Sequence, residues 1–89
     1  MRRCAFTVHG RVQGVGYRQF AVRAATAQSV AGWVRNAPDG TVCGEAEGGE
    51  EAVGAFLDQL RQGPRWGEVR LVEVAEIELR GGAKFEVQF

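Results

Sequence analysis

The chain has 89 residues, 45% of them hydrophobic and 25% charged, enough for one small domain near the lower limit of what folds on a single core and too few for two. Eleven basic and eleven acidic residues cancel to a formal charge of zero, which excludes the broad positive field that non-specific nucleic-acid binding requires. The opening Met1-Arg2-Arg3-Cys4-Ala5 carries no signal-peptide core, and no apolar stretch is long enough to span a bilayer, so a single cytoplasmic domain over residues 1–89, with no membrane and no nucleic-acid partner, is expected.

In chain order, Cys4, Phe6 and Val8 alternate with Arg3, Ala5, Thr7 and His9, the period of a half-buried strand. A glycine-rich stretch from Gly10 to Gly16 follows. Tyr17, Phe20, Ala21 and Ala24 then recur at helical spacing, and the alanine-rich run to Ala27 favours a first helix. Gln28 and Ser29 follow it and leave its end open, because a serine in a left-handed conformation is strained. Gly32-Trp33-Val34-Arg35-Asn36 reads as a second strand, and Pro38-Asp39-Gly40 as the turn folding the third back as a hairpin. In that third strand Val42, Gly44 and Ala46 share one face, while Cys43, Glu45 and Glu47 share the other.

Gly48-Gly49-Glu50-Glu51 opens a second helix whose buried stripe is Val53, Phe56, Leu57 and Leu60, and Gly63-Pro64 ends it with a left-handed glycine cap. Between Val69 and Leu79 the apolar parity breaks at Val72 and Val74, which predicts a bulge near Arg70 to Val72. Phe85, Val87 and Phe89 make a last strand. Cys4 and Cys43 lack metal-ligand spacing and have opposite parities relative to their apolar neighbours, so two free thiols are expected. The order strand, helix, strand, strand, helix, strand, strand predicts an α+β ferredoxin-like sandwich of the split βαβ type: a four- to five-stranded, mainly antiparallel sheet with both helices on one face.

Chemistry concentrates in Gly10-Arg-Val-Gln-Gly-Val-Gly-Tyr-Arg18, where a strand pattern runs straight into a helix pattern. The glycines let amide N–H groups converge on a small anion, the helix start adds unpaired N–H groups and its positive dipole end, and Arg18 supplies a planar fork suited to phosphate. The candidate binding atoms are the backbone amides of Gln13, Gly14, Val15, Gly16, Tyr17 and Arg18. The loop ends in neither the Gly-Lys-Ser/Thr of a Walker A motif nor, with Gln19 after Gly14, the third glycine of a dinucleotide fingerprint. Asn36 shares a parity with Val34, which could bring it beside the loop. Taken singly, the loop is an ordinary tight connection, Arg18 a surface charge and Asn36 a turn former; their combination in sequence is what points to a site.

Gly10-Arg-Val-Gln-Gly-Val-Gly-Tyr-Arg18, Gly32-Trp-Val-Arg-Asn36 and Asp39-Gly40-Thr-Val42 together resemble the acylphosphatase family over essentially the whole chain. The resemblance implies hydrolysis of the carboxyl-phosphate bond of acyl phosphates, without metal or cofactor; a monomer acting on a small-molecule acyl phosphate is expected. It also implies phosphate binding by Arg18 and the loop amides, and a water oriented by Asn36. It places the last strand beside the second, although Gly81-Gly82 alone would suggest a tight hairpin.

The other polar residues have plainer readings. His9, with no carboxylate evident nearby, reads as an exposed strand-end imidazole, and Glu45, Glu47, Glu76 and Glu78 read as solvated strand faces. Trp33 and Trp66 read as packing or sheet-face residues, and Tyr17 as core with its hydroxyl near the loop. Arg11 and Arg35 could add local positive potential. An RNA-recognition module is disfavoured by Cys43, Glu45 and Glu47 on the third strand's open face, which would repel phosphates. A non-catalytic anion-binding domain, and a detached version of the similar domain in larger carbamoyl-transfer enzymes, are the remaining alternatives; the second is disfavoured because the sequence spans only the domain.

Overall fold

A computed structural model describes residues 1–89 and orders them as β1 (Arg2–Arg11), α1 (Tyr17–Ala27), β2 (Ala31–Asn36), β3 (Val42–Gly48), α2 (Glu50–Gln62), β4 (Glu68–Ile77) and β5 (Phe85–Val87). The strands form one five-stranded sheet in the order β4-β1-β3-β2-β5. β3 lies antiparallel to both its neighbours, with Val8 of β1 and Asn36 of β2 each opposite Val42. Two strands antiparallel to the same third strand must run parallel to each other, so α1 is the crossover between β1 and β2, and α2 performs the same service around β1 from β3 to β4. β5 joins the free side of β2 in parallel, Gly32 opposite Phe85 and Val34 opposite Val87, at the edge the resemblance implied. The Gly81-Gly82 pair therefore serves a crossing, not a hairpin. Phe89 falls outside this last strand, which stops at Val87.

The alternation read from the sequence sets the core. Cys4, Phe6, Val8, Val34, Val42 and Ala46 are buried on one face, against Tyr17, Ala21 and Ala25 of α1 and Val53, Phe56, Leu57 and Leu60 of α2. Phe56 joins the two halves of the sheet, its ring 5.7 Å from that of Phe6 and 5.3 Å from that of Phe85. Cys4 on this face and Cys43 on the other are both free thiols. No helix is long and apolar enough to cross a membrane.

The expected bulge is present. His9 pairs with Leu71 and Gly10 with Val69, which leaves Arg70 as the extra residue on β4. Val69 and Val72 consequently both pack on the core, while Leu71 is 53% exposed on the open face. The mixed parity of this segment is one strand changing face once.

Helix α1 ends in the conformation its sequence makes costly. Val30 N–H donates to Ala25 O at 2.9 Å and Ser29 N–H to Thr26 O at 3.2 Å, a Schellman closure that holds Ser29 at φ 57°. Gly63 after α2 also has positive φ, 72°, but with ψ 175°, so it turns the chain outward into an extended path rather than forming a left-handed cap.

One polar assignment reverses. Glu45 and Glu47 are not solvated: Glu47 is 6% exposed, and Arg3, itself 5% exposed, lies between the two carboxylates with nitrogens 2.8 Å from Glu45 and 3.1 Å from Glu47. Glu47 also accepts the backbone N–H groups of Arg80 at 2.7 Å and Gly81 at 3.0 Å. The segment after β4 folds over the end of β3 and covers the residue that alternation alone would leave in water. Those N–H donors first, with Arg3, hold the Glu47 carboxyl below its ordinary value and outweigh the opposing effect of burial. Burial pulls the Arg3 guanidinium down, but its bonds to Glu45 and Glu47 outweigh this and leave its value raised.

Two outcomes follow from these features. Ser29→Gly should raise stability by about 0.5–1 kcal/mol, the relief of left-handed strain less the added freedom of the unfolded chain, read by urea denaturation. Because Glu47 is held ionised in the fold, its contribution is full above the ordinary glutamate value of 4.5 and is lost as pH falls below it. Glu47→Gln should therefore lower the melting temperature at neutral pH and flatten its decline in acid, measured by thermal melts from about pH 7 to about pH 3.

Candidate active site

The loop between β1 and α1 is a bowl of unpaired amides. Gly14 at φ 75° and Gly16 at φ 80° both have positive φ, the region that favours glycine. A Cβ on either would touch nothing within 4 Å, so the backbone angle, not space, requires glycine there. The first helical bond runs from Phe20 N–H to Gly16 O at 3.0 Å, and no side chain caps the helix start. The amide N–H groups of residues 13–19 thus find no acceptor within the chain. A helix start alone leaves about four such groups free; the loop extends the set in the N-terminal direction.

The parallel strands deliver the remaining components. β1, β2 and β5 run the same way, so their C-terminal ends meet at one end of the sheet. There a cavity of about 140 Å³ is lined by Gly14, Gly16, Tyr17, Arg18 and Gln19 from the loop and α1, Asn36 from the end of β2, and Val12, Val87 and Phe89. Arg18 and Asn36, assigned separately from sequence, line this one cavity. Gln13 and Val15 do not: the Gln13 carboxamide reaches toward the β2–β3 turn, and Val15 packs against the core. Val87 and Phe89 were missed, because only the parallel pairing of β5 with β2 brings them here. Phe89 lies against the arginine, its ring centroid 5.5 Å from the Arg18 guanidinium carbon.

Several titratable neighbours are occupied elsewhere. The Tyr17 hydroxyl does not approach the loop; it donates to Leu60 O at 2.8 Å, bolting α1 to α2, and burial pushes its value up, so it stays a neutral donor. His9 is half-exposed and its Nε2 pairs with Glu73 of β4, a carboxylate that only strand pairing reveals. Asp39 accepts the Thr41 hydroxyl at 2.6 Å and the Thr41 N–H at 3.0 Å, and those bonds hold its carboxyl below the usual range. Arg11 donates to Trp66 O at 3.1 Å and Arg35 lies over the Trp33 ring, so neither lines the cavity. Trp33 is a half-buried sheet-face residue as read from sequence, whereas Trp66 is 70% exposed and packs little.

A glycine loop of unpaired amides with a guanidinium and a carboxamide beside it, on this sheet topology, places the protein in the ferredoxin-like α/β class. The Acylphosphatase family model matches residues 4–87. A curated acylphosphatase of Moorella thermoacetica is 48% identical over 86 residues, covering 97% of this chain and 92% of that protein. The crystal structure of acylphosphatase from Bacillus subtilis superposes with a TM-score of 0.97 at 37% identity and covers 100% of both chains. Full-length HypF, in a phosphate- and nucleotide-bound form, matches 99% of this chain at a TM-score of 0.90 and 27% identity, but the match is 12% of HypF. The chain belongs to the acylphosphatase family and is an enzyme of that class.

The corrected role of Tyr17 is testable. Tyr17→Phe should cost about 1–2 kcal/mol, because the buried Leu60 carbonyl loses its donor. Steady-state kinetics should be unchanged, since the hydroxyl points away from the cavity.

Proposed function

We propose that this enzyme hydrolyses the carboxyl-phosphate bond of small acyl phosphates, with the phosphoryl oxygens held by the loop amides of residues 13–18 and by Arg18, and the attacking water oriented by Asn36. The observation that carries the reading is the coincidence, around one cavity of about 140 Å³, of unpaired amides, one guanidinium and one neutral carboxamide. Phosphoryl transfer through a loose transition state asks the protein to hold equatorial oxygens, offset their charge and place a nucleophile in line. Those demands are met here by backbone and two side chains.

The lining residues also limit the mechanism. No lining side chain carries a thiol, carboxylate or imidazole, and the one hydroxyl, that of Tyr17, is committed to Leu60. Water is therefore the nucleophile and no phosphoenzyme forms. The Asn36 amide can orient water but cannot accept its proton, so the proton passes to a phosphoryl oxygen. The leaving carboxylate is a weak base at neutral pH and departs without a general acid. The reading takes the enzyme as a monomer, and two unbridged thiols fit the cytoplasm.

Benzoyl phosphate hydrolysis with two variants is the test. Arg18→Gln should abolish phosphate binding and turnover together, because it removes the fork that holds the dianion in both ground and transition states. Asn36→Ala should leave competitive inhibition by inorganic phosphate near that of the parent and lower kcat by about 10²–10³. Near-parental turnover by either variant, or phosphate binding without turnover in the parent, would remove this assignment.

A further inference from the structure

The side chain of Gln13 does something its place in the amide bowl does not require. Its Nε2 donates to Ala37 O at 2.7 Å and to Thr41 O at 2.9 Å, using both N–H bonds on two convergent carbonyls. Those carbonyls belong to the turn between β2 and β3, which begins one residue after Asn36. The turn is closed on itself: Ala37 N–H donates to Thr41 O at 2.8 Å and Gly40 N–H to Ala37 O at 3.2 Å, while the Asp39 carboxylate accepts both the N–H and the hydroxyl of Thr41. A unit cross-braced in this way shifts as a body. Its hydrogen bonds to the loop at residues 12–16 are the two from Gln13.

We propose that Gln13 is a positioning residue for catalysis: its carboxamide fixes the β2–β3 turn to the phosphate-binding loop and thereby sets where the Asn36 side chain holds the attacking water. The proposal rests on the assignment of Asn36 to water orientation made above. The chemistry of the contact explains the residue type. Two carbonyl oxygens facing one point need a single atom with two N–H bonds, which a primary amide supplies without charge. A carboxylate there would set a negative oxygen against two carbonyls, and a thioether of the same length would remove the one tie to the loop while each carbonyl kept only its bond within the turn. Because the loop amides and Arg18 are independent of this side chain, its loss should displace the water and not the phosphate. Displacements on the order of 1 Å between reacting groups are costly for turnover.

The experiment is a double-mutant cycle with benzoyl phosphate as substrate and inorganic phosphate as competitive inhibitor. Gln13→Met should lower kcat by about 10- to 100-fold while phosphate inhibition stays within about threefold of the parent. In an Asn36→Ala background the same substitution should cost less than about twofold, since a residue acting through Asn36 has nothing left to position. Gln13→Asn, which keeps both N–H bonds on a shorter stem, serves as the second variant should Gln13→Met fold poorly, and its kcat should fall between parent and Gln13→Met. An undiminished loss in the Asn36→Ala background, a phosphate inhibition constant that weakens in step with kcat, or unchanged kcat in Gln13→Met each overturns the proposal. If Asn36→Ala itself keeps parental turnover, the water-orienting assignment has failed first, which separates the two results.

Discussion

The antiparallel placement of β3 between β1 and β2 is the constraint on which the site depends. It forces β1 and β2 to run parallel at two strand spacings, so the loop leaving β1 and the last residue of β2 arrive at the same end of the sheet. α1 starts where β1 stops and must cross over the sheet, which aims its free amides and dipole at that same end. β5 then extends the arrangement by pairing in parallel with β2, and carries Val87 and Phe89 to the rim. Ladder hydrogen bonds made far from the cavity therefore decide the separation of Arg18 and Asn36.

The proposed site draws mainly on backbone, which would account for how an enzyme of this size manages with few specialised side chains. In the proposed reading, amides fixed by two left-handed glycines and a helix start need no rearrangement to receive charge. Most of the titratable groups close by in sequence are held away from it: His9 against Glu73, Asp39 against Thr41, Tyr17 under α2. The result is a cavity with one cationic side chain and no acidic side chain in its lining. In a chain of zero formal charge, that local excess is what distinguishes this end of the molecule.

The opposite end of the sheet shows how the remaining charge is spent. Arg3 lies between Glu45 and Glu47 under the segment that follows β4, and Glu47 satisfies backbone donors there as well. Buried ions are tolerable when each is paired and hydrogen-bonded, and this cluster meets both conditions. It fastens the crossing from β4 to β5, whose far end supplies part of the cavity's rim.

Local pattern determined much of this protein. Alternation marked β1 and β3, helical spacing marked α1 and α2, Pro38-Asp39-Gly40 marked the hairpin, and the parity break near Arg70 marked the bulge, because each records which side of an element faces the core. Arg18 and Asn36 were legible for a related reason: one follows a glycine pattern that only a strained turn needs, the other ends a strand on its buried parity. Contacts between residues distant in sequence were not legible. Glu47 reads as solvent-facing until the segment at Arg80 and Gly81 covers it; His9 reads as unpartnered until β4 places Glu73 beside it; the hydroxyl of Tyr17 reads as lying near the loop until α2 takes it. Periodicity carries information about one element at a time, whereas these partners are chosen by strand order and crossover path, and those are fixed only when the whole chain has closed.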